Sequence, residues 1–247
     1  MTAAPPRRIE RVRHEIHRRE LKVARIQELS PGFLAITLAG DALAGFISSG
    51  FDDHLKFMFD SSEGEPIRRD YTPRHYDAER NELVLEFALH QHGQAARWAR
   101  EAVVGQTAVI AGPRGSMIIP MDYDWHLFVG DATALPAIHR RLEELPPGTR
   151  AMVSVLLTDP ADQRELSSAA DLELEWVDSN EALLESLRKR ELPAGEGFAW
   201  GAGEASVMTQ VRDILIDQKG HPKQAMRVAA YWRKGAEGVH EELTPMA

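Results

Sequence analysis

The sequence contains no cysteine. Disulfides, thiolate zinc sites and cysteine-ligated iron–sulfur clusters are therefore excluded, and the absence fits a reducing cytoplasm. The sequence also lacks any apolar run near the ~20 residues of a membrane-spanning helix, so no membrane partner is expected. Its opening residues, MTAAPPRRIERVRHEIHRRE, lack the apolar core of a secretory signal. Positive charge is in the minority: 29 Lys and Arg against 38 Asp and Glu give a formal net charge of −9. Nucleic acid, which needs a basic field, is not an expected partner. The basic stretch from Arg7 to Arg19 reads as a solvated lead-in. The 10 histidines include His90 and His92 at i, i+2 and a helical His139, but no HExxH and no His–carboxylate cluster with ligand spacing, so no resident metal is expected.

What is present is ordinary for a globular protein: 247 residues, 43% hydrophobic and 27% charged. The pattern changes style once. From Glu20 to about Asp122, short alternating or apolar runs (LKVARIQEL, FLAITLAG, HLKFMFD, ELVLEFALH, TAVIAGP) are punctuated by Gly, Pro, Asp and Asn, with a single helical stretch, QAARWAREAV. This predicts an antiparallel barrel or sandwich. From Tyr123 onward, strand-like WHLFVG, RAMVSVLLT, LELEWVD, GFAWGAG and RVAAYW alternate with ALPAIHRRLEELP, EALLESLRKREL and VMTQVRDILIDQKG, whose apolar residues recur at i, i+3, i+4. That alternation predicts βαβ units and a mostly parallel sheet. The expected domains are 1–122 and 123–247, with the boundary near Pro120–Trp125.

Two segments of the first half carry chemistry. Residues 69–74 read RDYTPR. On a strand, i and i+2 share a face, so Arg69 and Tyr71 point the same way and Arg74 is expected to return to that face. The tyrosine ring can stack on a planar ring system, the forked guanidinium can grip phosphate, and Thr72 can offer its hydroxyl or N–H. The plainer alternative is an edge strand with a packed tyrosine and surface arginines. Residues 90–99 read HQHGQAARWA. A glycine before a helix start lets backbone N–H groups face an anion, aided by the helix dipole. His92, Gly93, Gln94, Ala95 and Ala96, with His90 just before, form a candidate pyrophosphate cradle. Trp98 reads as core.

The pattern R-x-Y-T-x-R resembles that of flavin domains in the ferredoxin-reductase-like superfamily. With GFDDHLKFMF (50–59), HGQAARWA (92–99), AGPRGS (111–116), VGDATALPAIHRRLEELP (129–146), WGAGE (200–204) and AAYWRKG (229–235), the chain is similar over nearly its whole length to siderophore-interacting proteins, also called ferric-siderophore reductases. The resemblance implies a two-domain, ferredoxin-reductase-like fold: an N-terminal antiparallel FAD barrel and a C-terminal α/β nucleotide domain. It implies electron flow from NAD(P)H through FAD to Fe(III) held in a siderophore, in the cytoplasm. Two departures touch cofactor detail: Ala96 stands where the family often has serine, and Ala132 where many relatives have glutamate.

The resemblance also distributes roles. Arg69, Asp70, Tyr71, Thr72 and Arg74 fall to the flavin. Asp131, Thr133 and Ala134, in GDATALP, and Gly201, Ala202, Gly203, Glu204 and Trp232 fall to the nicotinamide nucleotide. Both strand-end loops sit where open α/β sheets bind ligands; Asp131 and Thr133 read equally as N-caps of the next helix. No strict G-x-G-x-x-G follows a strand, as fits this superfamily. In the loop LLTDPADQREL, Asp159 could hold a ribose hydroxyl and Arg164 a 2′-phosphate; similarity to chains that end soon after YWR favours NADPH over NADH. Lys56, Arg114 and Arg233 fall to the siderophore, as a basic pocket in an acidic protein, with ordinary solvated charges as the alternative. Two rival functions use the same residues: a general flavin reductase serving an oxygenase or soluble carrier, and a siderophore-binding module without catalysis.

Overall fold

The computed structural model describes residues 9–59, 66–89, 93–236, 238 and 240–244. They divide into two units: Glu10–Ile118 together with Ala161–Arg164, and Ile119–Pro160 together with Glu165–Ala247.

The first unit contains β1 (Glu10–Arg13), β2 (Arg18–Ser30), β3 (Phe33–Ala39), β4 (Leu55–Phe59), β5 (Ile67–Tyr71), β6 (His75–Asp77), β7 (Glu82–Ala88), α1 (Gln94–Glu101), β8 (Thr107–Ala111) and β9 (Gly115–Ile118). Seven strands form an antiparallel sheet in the order β5-β4-β8-β2-β3-β7-β6, and β1 pairs with β9 as a separate ribbon. The sheet is an open barrel: its two edges, β5 and β6, are consecutive in the chain, and no ladder joins them among the described residues. Period-2 patterning sets the inner face. In β2, Leu21 and Val23 are buried while Glu20 and Lys22 are exposed. They join Ile36, Leu38, Phe57, Leu85, Phe87 and Ile110 in one core. Trp98 of α1 packs against that core, 4.6 Å from the Phe57 ring, in the core role its sequence context predicts.

The second unit contains β10 (Trp125–Asp131), α2 (Leu135–Glu144), β11 (Arg150–Leu156), β12 (Asp171–Val177), α3 (Asn180–Lys189), β13 (Gly197–Glu204), α4 (Ala205–Asp213), β14 (Met226–Trp232) and β15 (Glu241–Glu242). The sheet order is β12-β11-β10-β13-β14-β15, parallel throughout except for β15. Every residue of β10 is buried, as expected of a central parallel strand covered on both faces. The chain runs outward from β10 through β11 to β12, then crosses back to β13 and β14 on the other side. The switch point therefore lies between the C-terminal ends of β10 and β13, where such sheets bind ligands. Beyond β14 the chain returns as β15; Thr244 Oγ1 accepts the Val228 N–H at 3.0 Å and Arg227 pairs with Glu242 at 3.2 Å. β1, β6, β9 and β15 have no counterpart in the sequence reading, because two to four residues are too few for an alternation to register. Among the described residues no helix is long and apolar enough to cross a membrane.

Candidate functional site

In the first unit, β5 ends at Tyr71, halfway through the motif. Arg69 and Tyr71 share a face of β5, as alternation requires. The strand stops at Tyr71, however, and Thr72–Arg74 are not strand, so alternation does not reach Arg74. Arg74 is buried, and its Nε donates to Glu86 Oε1 at 3.2 Å. Glu86 also holds Arg164, whose guanidinium lies 5.1 Å from the Phe33 ring centroid. Both arginines thus neutralise a buried carboxylate. Arg74 is held by the buried Glu86, and Arg164, weighed as a 2′-phosphate ligand, pairs with the same carboxylate.

Arg69 is half-buried, and its Nη2 donates to Gln94 Oε1 at 3.0 Å. This joins the two segments that carry the flavin motifs at the start of α1. The N-cap of α1 is Gly93, with no side-chain hydrogen bond capping the helix, and the first intrahelical bond is Arg97 N–H to Gly93 C=O at 2.9 Å. Among the described residues no acceptor takes the amides of Ala95 and Ala96, and the helix dipole and a guanidinium lie beside them. Ala95 and Ala96 are themselves buried. His90 and His92 lie outside the described residues. The Tyr71 ring packs 4.3 Å from Phe87 and 5.7 Å from Phe57; burial pushes its hydroxyl well above the ordinary phenol range despite the nearby Arg69, so it is a neutral group. Thr72 is buried directly after it. An aromatic platform beside an uncapped helix start with an arginine is a donor set that fits a flavin carrying a pyrophosphate.

The basic candidates sit on the same sheet. Lys56 on β4 faces Asp70 across the β4–β5 ladder, and its Nζ donates to Asp70 Oδ2 at 2.8 Å. Asp70, expected at the flavin, is thus the counter-ion of a substrate candidate. Lys56 is also in register with Ala111, the last residue of β8. Arg114 is exposed just after the buried Gly112 and Pro113; the Gly112 φ of 95° suits glycine. Among the described residues no carboxylate pairs with Arg114.

Sequence reasoning missed the hub that supports this region. Asp53 Oδ2 accepts the hydroxyls of Ser48 at 2.9 Å and Ser116 at 2.6 Å and the Gly50 N–H at 3.1 Å. His14 Nε2 lies 2.8 Å from Ser116 Oγ. Burial raises the Asp53 carboxyl's pKa, although these hydrogen bonds oppose it. The hub ties the approach to β4, which carries Lys56, to β9, which follows Arg114. Ser48 and Gly50 are local, but Ser116 and His14 come from distant strands and loops, so no local signal announces the hub.

In the second unit the switch point is built around Asp131. Its Oδ1 accepts the Thr133 N–H at 2.8 Å and the Thr133 hydroxyl at 2.5 Å. Its Oδ2 accepts the Glu204 N–H at 3.0 Å and the Trp232 indole N–H at 2.8 Å. The ends of β10, β13 and β14 therefore meet on one carboxylate. The expectation that Asp131 or Thr133 caps α2 is corrected: the N-cap is Ala134, which makes no side-chain bond, because Asp131's oxygens are committed elsewhere. Gly203 is required by this packing; a Cβ there would lie 2.7 Å from Asp131 Oδ2. A Cβ on Gly130 would lie 2.7 Å from the Ala202 carbonyl oxygen. Gly201 and Ala202 are buried in β13. Glu204 is the N-cap of α4, accepting the Ser206 N–H at 2.7 Å and the Val207 N–H at 3.2 Å. Burial alone would raise its pKa, but the Ser206 hydroxyl and the amides of Lys234, Ser206 and Val207 outweigh it and lower it. Glu204 is thus occupied with the helix start. Trp232 is 37% exposed. Arg233, a substrate candidate, pairs with Glu241 at 2.9 Å, both half-exposed.

Comparison with known proteins gives one consistent answer. The family model described as siderophore-interacting protein matches residues 123–235, and the siderophore-interacting FAD-binding domain matches 22–65 and 60–117. The chain is 37% identical to the NADPH-dependent ferric-chelate reductase of Escherichia coli (strain K12), over 92% of this chain and 97% of that protein. It is 28% identical to the ferric vibriobactin reductase ViuB of Vibrio cholerae, over 92% of this chain and 94% of that protein. Among solved structures, a siderophore utilization protein from T. fusca superposes with a TM-score of 0.87 at 30% identity, covering 93% of this chain and 98% of that one. The ferredoxin-reductase-like fold class predicted from the sequence is the one found.

Proposed function

The chain belongs to the siderophore-interacting protein family, and we propose that it works as an FAD-dependent reductase that uses NADPH to reduce iron held in ferric siderophores. The observation that carries this reading is the meeting of Arg69 with Gln94 at the uncapped start of α1, beside Tyr71 and in the region matched by the FAD-binding family model. The identity to an NADPH-dependent ferric-chelate reductase supports the choice of NADPH.

FAD, held by Arg69, Ala95, Ala96 and Tyr71, would supply the redox chemistry that links a two-electron donor, NADPH, to a one-electron acceptor, Fe(III). The chain's own residues bind and orient. Arg69 and the amides of Ala95 and Ala96 hold the pyrophosphate; His90 and His92 precede the same cradle in sequence. Tyr71, neutral and backed by Phe87 and Phe57, packs on the ring system, with Thr72 next to it. Lys56 and Arg114 attract the anionic siderophore against the overall negative charge; Arg233, paired with Glu241, contributes less. Gly201–Glu204, Asp131–Ala134 and Trp232 form the nucleotide's end of the parallel sheet. The siderophore's hard oxygen donors suit Fe(III) better than Fe(II), so reduction loosens the iron. No side chain is required as a general acid or base. The working division is 1–122 for flavin and 123–247 for NADPH, and the setting is the cytoplasm, where NADPH is available as reductant.

The test is anaerobic mixing of the FAD-loaded protein with NADPH or NADH, a ferric siderophore and a ferrous-iron trap. The expected result is flavin bleaching by NADPH, followed by trap colour that depends on both substrates. Bleaching without iron release, but with reduction of a protein carrier, would replace the reading with a general flavin reductase. No bleaching by either nucleotide would leave a binding module.

A further inference from the structure

The Asp131 carboxylate is engaged on both oxygens, and all four atoms on it belong to N–H or O–H groups: Thr133 N and Oγ1 on Oδ1, Glu204 N and Trp232 Nε1 on Oδ2. Asp131 is 9% exposed, whereas Trp232 is 37% exposed. The carboxylate thus lies beneath the strand ends, and the indole it holds is the large apolar surface presented there. Indole has one donor and no acceptor, so a single bond to a fixed oxygen sets the direction of the ring edge. That oxygen is fixed in turn by the backbone of Glu204, whose close approach depends on the missing side chain of Gly203.

We propose that Asp131 is a positioning residue for the pyridine nucleotide: it acts by locking the Trp232 indole at the mouth of the switch point, and the nucleotide packs on the indole without touching Asp131. This rests on the reading of the second unit as the NADPH site and adds the device that orders it. Trp232 lies at the end of β14, next to β13 in the sheet, and β13 borders the switch point. A half-exposed aromatic held rigid there offers contact area with little ordering cost on binding. Exchange of Asp131 for asparagine keeps the shape but turns one oxygen into a donor. With the amide nitrogen on the Oδ1 side the Thr133 N–H loses its acceptor and the Thr133 hydroxyl must turn; on the Oδ2 side the Glu204 N–H and the indole N–H lose theirs.

The experiment uses the FAD-loaded protein and four forms: wild type, Asp131→Asn, Trp232→Phe and the double variant. NADP⁺ affinity is measured by calorimetry. The ¹⁵N-indole signal of Trp232, identified by its loss in Trp232→Phe, reports the bond directly. The expected result for Asp131→Asn is an upfield shift of the indole proton, faster exchange with water and NADP⁺ affinity weakened by about tenfold, equal to ~1.4 kcal/mol. FAD content and the rate at which dithionite-reduced protein is reoxidised by a ferric chelate should stay as in wild type, which separates positioning from general damage. In the double variant the Asp131→Asn effect should shrink, because the bond is already gone. Trp232→Phe leaves the other three bonds to Asp131 intact, so it tests the idea even if Asp131→Asn folds poorly. An unchanged NADP⁺ affinity in Trp232→Phe overturns the proposal, as does an undiminished Asp131→Asn effect on the Trp232→Phe background. Failure of the wild type itself to bind NADP⁺ would instead overturn the NADPH reading on which the proposal stands.

Discussion

The Arg69 guanidinium and the Gln94 side-chain carbonyl meet at 3.0 Å, although the first lies on the edge strand β5 and the second opens α1. A guanidinium has five donors in a fixed fork; Arg69 spends one on Gln94 and one on the Arg68 carbonyl at 3.0 Å, and the two bonds orient its plane. The Gly93 N-cap makes no side-chain bond, which keeps the neighbouring amides clear. A positive charge and a helix dipole therefore meet at one place.

Replacement of Arg69 by Ala should release FAD. Loss of one charge-assisted contact costs about 1.5–3 kcal/mol, or roughly 10- to 150-fold in dissociation constant. Gln94→Ala should cost less, about 1 kcal/mol, because it removes only the orienting bond. Fluorescence titration of the apoprotein with FAD and with FMN measures both. The Arg69→Ala loss should be largest for FAD, which carries the pyrophosphate; equal affinity of wild type and Arg69→Ala for FAD would remove Arg69 from the site.

Much of this was legible in the sequence, and the limits have physical causes. Strands of five residues or more, apart from β5, which was read from its motif, and all four helices announced themselves by periodicity. The short β1, β6, β9 and β15 did not, because pairing with a distant strand, and no local pattern, makes them. The shared face of Arg69 and Tyr71 followed from alternation; the burial of Arg74 did not, because alternation ends with the strand. Asp131 was legible as a residue at a strand end, but its partners Glu204 and Trp232 are contributed by later strands. The same holds for Asp53, whose hub joins Ser48, Ser116 and, through Ser116, His14. Arg164 shows the limit most clearly. Its loop position after β11 pointed to a nucleotide phosphate, yet residues 161–164 belong with the first unit, where the buried Glu86 claims it.

Lys56 and Asp70 predict opposite kinetic effects. Lys56→Ala should raise the apparent KM for an anionic ferric siderophore, since it removes a cation and also unmasks the Asp70 carboxylate. Asp70→Asn should lower that KM by freeing the ammonium. Exposed pairs are worth ~0.2–1 kcal/mol, so shifts of about 1.5- to 5-fold are expected, shrinking at high salt and for a neutral iron chelate. Steady-state kinetics with both chelates at two ionic strengths measures this; effects of the same sign from both variants would place the siderophore elsewhere.

His221 predicts a loss of stability in acid. Burial lowers its pKa, and the hydrogen bond between Nε2 and the Ala225 carbonyl at 2.9 Å only partly opposes this. The folded protein therefore binds a proton less readily than the unfolded chain, whose histidines titrate near about 6.5. The sign follows: the neutral form's advantage is present above the unfolded pKa and is lost progressively as pH falls below it. Asp53, with a raised pKa, works in the opposite direction at lower pH. Melting temperatures between about pH 7 and pH 5 should fall in wild type and fall less in His221→Gln. Parallel curves would show that His221 does not drive the acid loss.

Arg164 separates a structural ion pair from a nucleotide ligand. Its guanidinium is 13% exposed, pairs with the buried Glu86, and lies over the Phe33 ring. Glu86 is shared with Arg74, so removal of Arg164 leaves the carboxylate one partner and costs a charge-assisted bond, about 1.5–3 kcal/mol of stability. Arg164→Ala should accordingly lower the midpoint of denaturant unfolding, and Glu86→Ala should lower it further because two buried arginines then lose their counter-ion. Neither change should alter the preference for NADPH over NADH, since no free guanidinium remains there to read a 2′-phosphate. A 2′-phosphate ligand would behave differently: its loss would raise the KM for NADPH by tenfold or so and leave NADH unchanged. Measuring both nucleotides against Arg164→Ala, alongside its unfolding curve, decides between the two roles. A selective NADPH defect with unchanged stability would return Arg164 to the nucleotide site.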